Sequence, residues 1–148
     1  MDGHLQKFLL QTRKNHFRIM QKHILVIDDC TSNRLVFKEI INTWSNTKSS
    51  FATNGAEGIE ILRKHSIDLV LMDLNMPVMD GYATTRAIRN QEAGMENSKI
   101  PIIAVTSEEM ENTRHLTMAI GMNDFMNKPV DHFMLYQKVR MLLLGTAS

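Results

Sequence analysis

Ile67-Asp68-Leu69-Val70-Leu71-Met72-Asp73-Leu74-Asn75-Met76-Pro77 is an apolar run that ends in a carboxylate and then breaks at proline. The apolar residues are continuous rather than alternating, which suits a strand covered on both faces. Two similar runs flank it, Ile24-Leu25-Val26-Ile27 and Pro101-Ile102-Ile103-Ala104-Val105, and weaker strands are expected at Lys48–Thr53 and Asp124–Asn127. Between the strands lie helical patterns at 32–43, 55–65, 81–92, 108–120 and 130–144, punctuated by Gly55, Gly94 and Gly121. Ser32 and Asp131 are the expected N-caps.

Strands alternating with helices imply right-handed crossovers and a parallel sheet with helices on both faces. The expected fold is α/β, flavodoxin-like and doubly wound, with five strands in the order 2-1-3-4-5. Such sheets bind ligands at the carboxyl ends of their strands, where the strand order reverses. Polar residues stand at those ends. Asp28-Asp29 follows the first strand, Asp73 the third, Thr106-Ser107 the fourth and Lys128-Pro129 the fifth. In that strand order the three carboxylates converge, and mutual repulsion either raises a pKa or recruits a cation. Mg²⁺ is the natural occupant, since it binds through one or two carboxylates together with waters and phosphate oxygens.

The remaining groups suit a phosphoryl acceptor. A carboxylate can attack phosphorus and form an aspartyl phosphate. The transfer needs positioning and charge stabilisation more than a separate base. Lys128 and Thr106 are placed to meet phosphoryl oxygens that the metal does not.

Composition narrows the alternatives. At 148 residues the chain fits one ordinary domain. Lys and Arg number 17 against 16 Asp and Glu, a net charge of +1 that gives no reason to invoke nucleic acid. Cys30, the single cysteine, rules out an internal disulfide and fits a reducing, cytoplasmic setting. No apolar run approaches the ~20 residues of a membrane span, so no membrane contact is expected of this domain, although a parent protein could be membrane-anchored. Residues 1–22 form a basic lead, a linker or an amphipathic helix over 4–20, and residues 23–145 form the domain. The six histidines show no metal-ligand spacing. Of the 12 methionines, Met110, Met118, Met122, Met126, Met134 and Met141 fall late in the chain and are expected mostly to fill core.

Asp28-Asp29, the run Asp73-Leu74-Asn75-Met76-Pro77-Val78-Met79-Asp80-Gly81, Thr106 and Lys128-Pro129 together resemble the receiver domain of two-component signalling. The likeness covers about residues 22–144. It implies that Asp73 is the phosphoacceptor, that Asp29 ligates Mg²⁺ with Asp28 assisting, and that Asn75 adds its backbone carbonyl. Thr106 and Phe125 would be the switch pair and Lys128 the phosphate-contacting cation, with a cis bond between Lys128 and Pro129. Relatives often carry tyrosine where Phe125 stands. Asp80-Gly81 is expected to be a turn opening the third helix. Asn75 and Glu108 would flank the path of hydrolytic water.

The implied donor is a histidine kinase or histidine phosphotransfer domain, with kinase domains of the same polypeptide included. The Asn33-Arg34 pair resembles receivers fused to hybrid histidine kinases; a free-standing single-domain regulator is the other setting. The segment after Pro129 is expected to hold one last helix and no DNA-binding output domain. A haloacid-dehalogenase-type phosphatase would want an aspartate at Asn75, and a binding-only pseudo-receiver would be expected to lack one of the site residues.

Overall fold

A computed structural model describes residues 3–7, 21–107 and 110–144, with the backbone alone at 110 and 111. Five strands form one parallel sheet in the order β2-β1-β3-β4-β5, with β1 at Lys22–Ile27, β2 at Thr47–Ala52, β3 at Leu69–Asp73, β4 at Ile102–Thr106 and β5 at Asp124–Asn127. The helices are α1 at Thr31–Asn42, α2 at Gly55–Lys64, α3 at Gly81–Arg89, α4 at Met110–Ala119 and α5 at His132–Leu144. This is the flavodoxin-like arrangement expected from the apolar runs.

The continuous apolar character of the strands has a direct structural cause. Ile24, Val26, Leu69, Leu71, Ile103 and Val105 pack on one face with Phe37, Ile40 and Ile41 of α1 and Leu135 and Val139 of α5. Leu25, Ile27, Val70, Met72, Ile102 and Ala104 pack on the other with Ile59 and Leu62 of α2 and Ala87 and Ile88 of α3. Alternate residues therefore face opposite layers, and neither face meets water.

Several local expectations are corrected. β3 begins at Leu69, because Asp68 is engaged elsewhere: its carboxylate accepts from the His23 N–H at 2.8 Å and its own N–H donates to the His23 carbonyl. Ser32 does not cap α1. Cys30 holds the N-cap position, and its side chain makes no capping hydrogen bond. Asp131 does cap α5, accepting from the Met134 N–H at 2.9 Å. Asn54 and Asp80 cap α2 and α3 in the same way, so Asp80-Gly81 does open the third helix. Met122 and Met126 are buried, but Met118, Met134 and Met141 lie on solvent-facing sides of α4 and α5 and fill no core.

Residues 3–7 are helical; the remainder of the helix expected over 4–20 lies outside the described residues. No helix among the described residues is long and apolar enough to cross a membrane.

Candidate functional site

Strand register builds the site. Ile27 pairs with Met72, so Asp28 and Asp73 emerge side by side one step further along β1 and β3. Asp73 pairs with Val105, which puts Thr106 one step beyond it on β4. Thr106 in turn pairs with Asn127, and the Lys128 N–H donates to the Thr106 carbonyl at 2.8 Å. All of the chemistry-bearing residues thus meet at the carboxyl edge of the central strands. The Lys128–Pro129 peptide is cis, as the resemblance implies.

Asp28, Asp29 and Asp73 each offer a carboxylate oxygen within 4.8 Å of the others. Asp28 and Asp73 are buried and Asp29 is exposed, so the cluster opens to solvent on the Asp29 side. The Lys128 ammonium lies 3.0 Å from Asp28 Oδ2 and 3.6 Å from Asp73 Oδ1. The cation expected to serve a phosphoryl oxygen is thus held, in this state, chiefly by Asp28. Asp73 Oδ1 accepts from the Asn75 N–H at 3.3 Å, placing exposed Asn75 at the mouth of the cluster.

Burial first, and the Asp28 carboxylate second, push the Asp73 carboxyl up from its ordinary 3.8 to about 6. Lys128 and the Asn75 N–H oppose that rise, while Asp29 adds to it. Asp73 is therefore mostly ionised at neutral pH, but strained by its neighbours.

The loop after β3 turns tightly. A Cβ on Gly81 would come within 2.3 Å of the Asp73 carbonyl oxygen, so only glycine lets α3 start so close to the end of β3. Thr106 is fully buried, and Phe125, at 7% exposure, already sits within the apolar layer. Exposed Cys30 donates its N–H to Asp28 Oδ1 at 2.9 Å. Glu108 lies outside the described residues.

Sequence reasoning did not foresee one contact. Arg34 reaches back from α1 to donate to the Asp28 carbonyl at 2.8 Å. Its only signal in the sequence was its place beside Asn33.

Residues 24–140 match the response regulator receiver domain family. The CAI-1 autoinducer sensor kinase/phosphatase CqsS of Vibrio cholerae is 40% identical over 119 residues, covering 80% of this chain and 17% of that protein. Sensor histidine kinase GacS of Pseudomonas protegens is 32% identical over 116 residues, covering 78% of this chain and 12% of that protein. The chain therefore spans less than a fifth of the length of these relatives. Among solved structures, the receiver domain of a Pseudomonas aeruginosa sensor histidine kinase, with a magnesium ion coordinated in its active-site cleft, is 28% identical. It superposes with a TM-score of 0.72 over 84% of this chain and 98% of that one. The chain belongs to the response regulator receiver domain family.

Proposed function

We propose that this receiver takes a phosphoryl group from a phosphohistidine onto Asp73 and changes its surface in response. The observation that carries this reading is the meeting of Asp28, Asp29 and Asp73 with Lys128 at the carboxyl edge of the sheet. An all-oxygen donor set that is crowded with negative charge and open on one side fits Mg²⁺. Asp28, Asp29 and Asp73, with the backbone carbonyl of Asn75, would hold the ion, which when bound supplies positive charge against phosphoryl oxygens.

The chain's own residues do the rest. An ionised Asp73 oxygen attacks phosphorus, an O–P bond forms, and the N–P bond to imidazole breaks. The leaving nitrogen takes its proton from solvent. Lys128 stabilises charge on the transferring oxygens. The Thr106 hydroxyl then turns toward the phosphoryl group, and Phe125, held inside the apolar layer, takes up the space it leaves. Two conformers separated by a few kcal/mol suffice for such a population shift.

Similarity to sensor kinases many times longer supports a place within a hybrid histidine kinase. The donor is then a histidine kinase or phosphotransfer domain, including kinase domains of the same polypeptide. On this reading residues 1–22 are a basic lead to a receiver spanning 23–145, and the domain works in the cytoplasm without touching nucleic acid or membrane.

NMR tests both halves of the proposal. Mg²⁺ is expected to shift resonances at 28–30 and 73–75, and a beryllofluoride phosphoryl mimic to move residues 106–130. Asp29→Asn is expected to lose both responses together. Residues 106–130 left unmoved while the acidic loops respond would rule out the switch.

A further inference from the structure

Helix α1 begins without the usual devices. Its first turn holds no acidic side chain, and the side chain of its N-cap residue, Cys30, makes no capping hydrogen bond. The N-terminal end of a helix favours anions and disfavours cations, yet Arg34 is the fourth residue of α1. Local rules broken in this way concentrate where function requires them.

Helical side chains lean back toward the N-terminus, and Arg34 uses that lean. Its Nη1 donates to the Asp28 backbone carbonyl at 2.8 Å and its Nη2 to Thr31 Oγ1 at 3.1 Å. From the other side, the Cys30 N–H holds Asp28 Oδ1 at 2.9 Å. The peptide joining Asp28 to Asp29 is therefore fixed in direction. Asp29 has no such tie of its own: among the described residues no hydrogen bond or ion pair restrains its exposed carboxylate. Where that carboxylate points is set by the backbone that Arg34 holds.

We infer that Arg34 is a positioning residue for the acidic cluster, gripping the Asp28 carbonyl and Thr31 so that Asp29 meets a divalent cation from one direction. The inference rests on the Mg²⁺ reading above. A planar guanidinium reaches two acceptors at once with little loss of freedom, which a lysine ammonium does not reproduce.

Calorimetric Mg²⁺ titration of the wild type, Arg34→Ala and Arg34→Lys tests this, alongside thermal melts. Loss of a partner that orients a metal ligand lowers metal affinity by about tenfold or more. Arg34→Ala is expected to show that loss and Arg34→Lys an intermediate one, with the deficit in acetyl-phosphate labelling falling away as Mg²⁺ is raised. A purely structural arginine would shift the melting temperature and leave Mg²⁺ affinity alone. A folded Arg34→Ala that binds Mg²⁺ like the wild type overturns the inference, as does full recovery by lysine. Should Arg34→Ala not fold, Arg34→Lys decides alone. No Mg²⁺ binding by the wild type itself would bring down the metal reading, and this inference with it.

Discussion

Asp73→Asn is expected to stabilise the metal-free protein by about 2 kcal/mol above pH 7. The wild-type carboxyl is raised to about 6 by burial and by Asp28. The folded state therefore holds this proton more tightly than the unfolded chain. Its cost to stability is full above about pH 7 and fades as the pH falls through 6 and 4, vanishing near pH 3, where the carboxyl is protonated in both states. Asparagine carries no charge at any of these pH values. The gap between the two proteins should thus be widest at pH 7–8, shrink between pH 6 and 4, and close near pH 3. Mg²⁺ should narrow it at high pH, by stabilising the wild type in proportion to its occupancy. Urea unfolding at several pH values reads this directly. A variant no more stable than wild type at pH 8 would mean that burial and the neighbouring carboxylates do not penalise an ionised Asp73.

Lys128→Met is expected to act in the opposite sense. Among the described residues Lys128 is the cation that pairs with the Asp28 carboxylate, whose side chain is 2% exposed, and Asp73 lies within its reach. Methionine keeps most of the apolar stem and removes the charge. Stranding a buried carboxylate costs about 3–5 kcal/mol; since the lysine side chain is itself 19% exposed, about 2–3 kcal/mol is expected at pH 7. The loss should shrink when Mg²⁺ is added, and the Asp73 carboxyl should titrate above its wild-type value, because Lys128 holds it down. A loss that Mg²⁺ leaves unchanged would separate Lys128 from the acidic cluster.

What was legible in the sequence follows from which forces are local. The strands announced themselves because both faces of a doubly wound sheet are covered, leaving Leu69-Val70-Leu71-Met72 without a polar interruption. The site was legible because a parallel sheet brings every strand's carboxyl end to one edge, so Asp28, Asp73, Thr106 and Lys128 needed only strand order to meet.

Features that depend on the folded turn were not legible. Ser32 looked like a cap, but the N-cap position falls two residues earlier, at Cys30, whose N–H is taken by Asp28. Asp68 read as part of a strand until the fold brought it to the His23 N–H. Arg34 read as a helix residue until its side chain found the Asp28 carbonyl. Met118, Met134 and Met141 read as filler because composition does not say which side of a helix is wet.

The central claim is that Asp73 accepts a phosphoryl group with help from a divalent cation. Intact-mass measurement with peptide mapping after incubation with acetyl phosphate tests it most directly. One acid-stable, base-labile phosphoryl group is expected on Asp73 with Mg²⁺ present, none with chelator, none on Asp73→Asn, and very little on Asp29→Asn. Labelling that ignores Mg²⁺, or equal labelling of Asp73→Asn, would contradict the assignment of this cluster as the phosphoacceptor site.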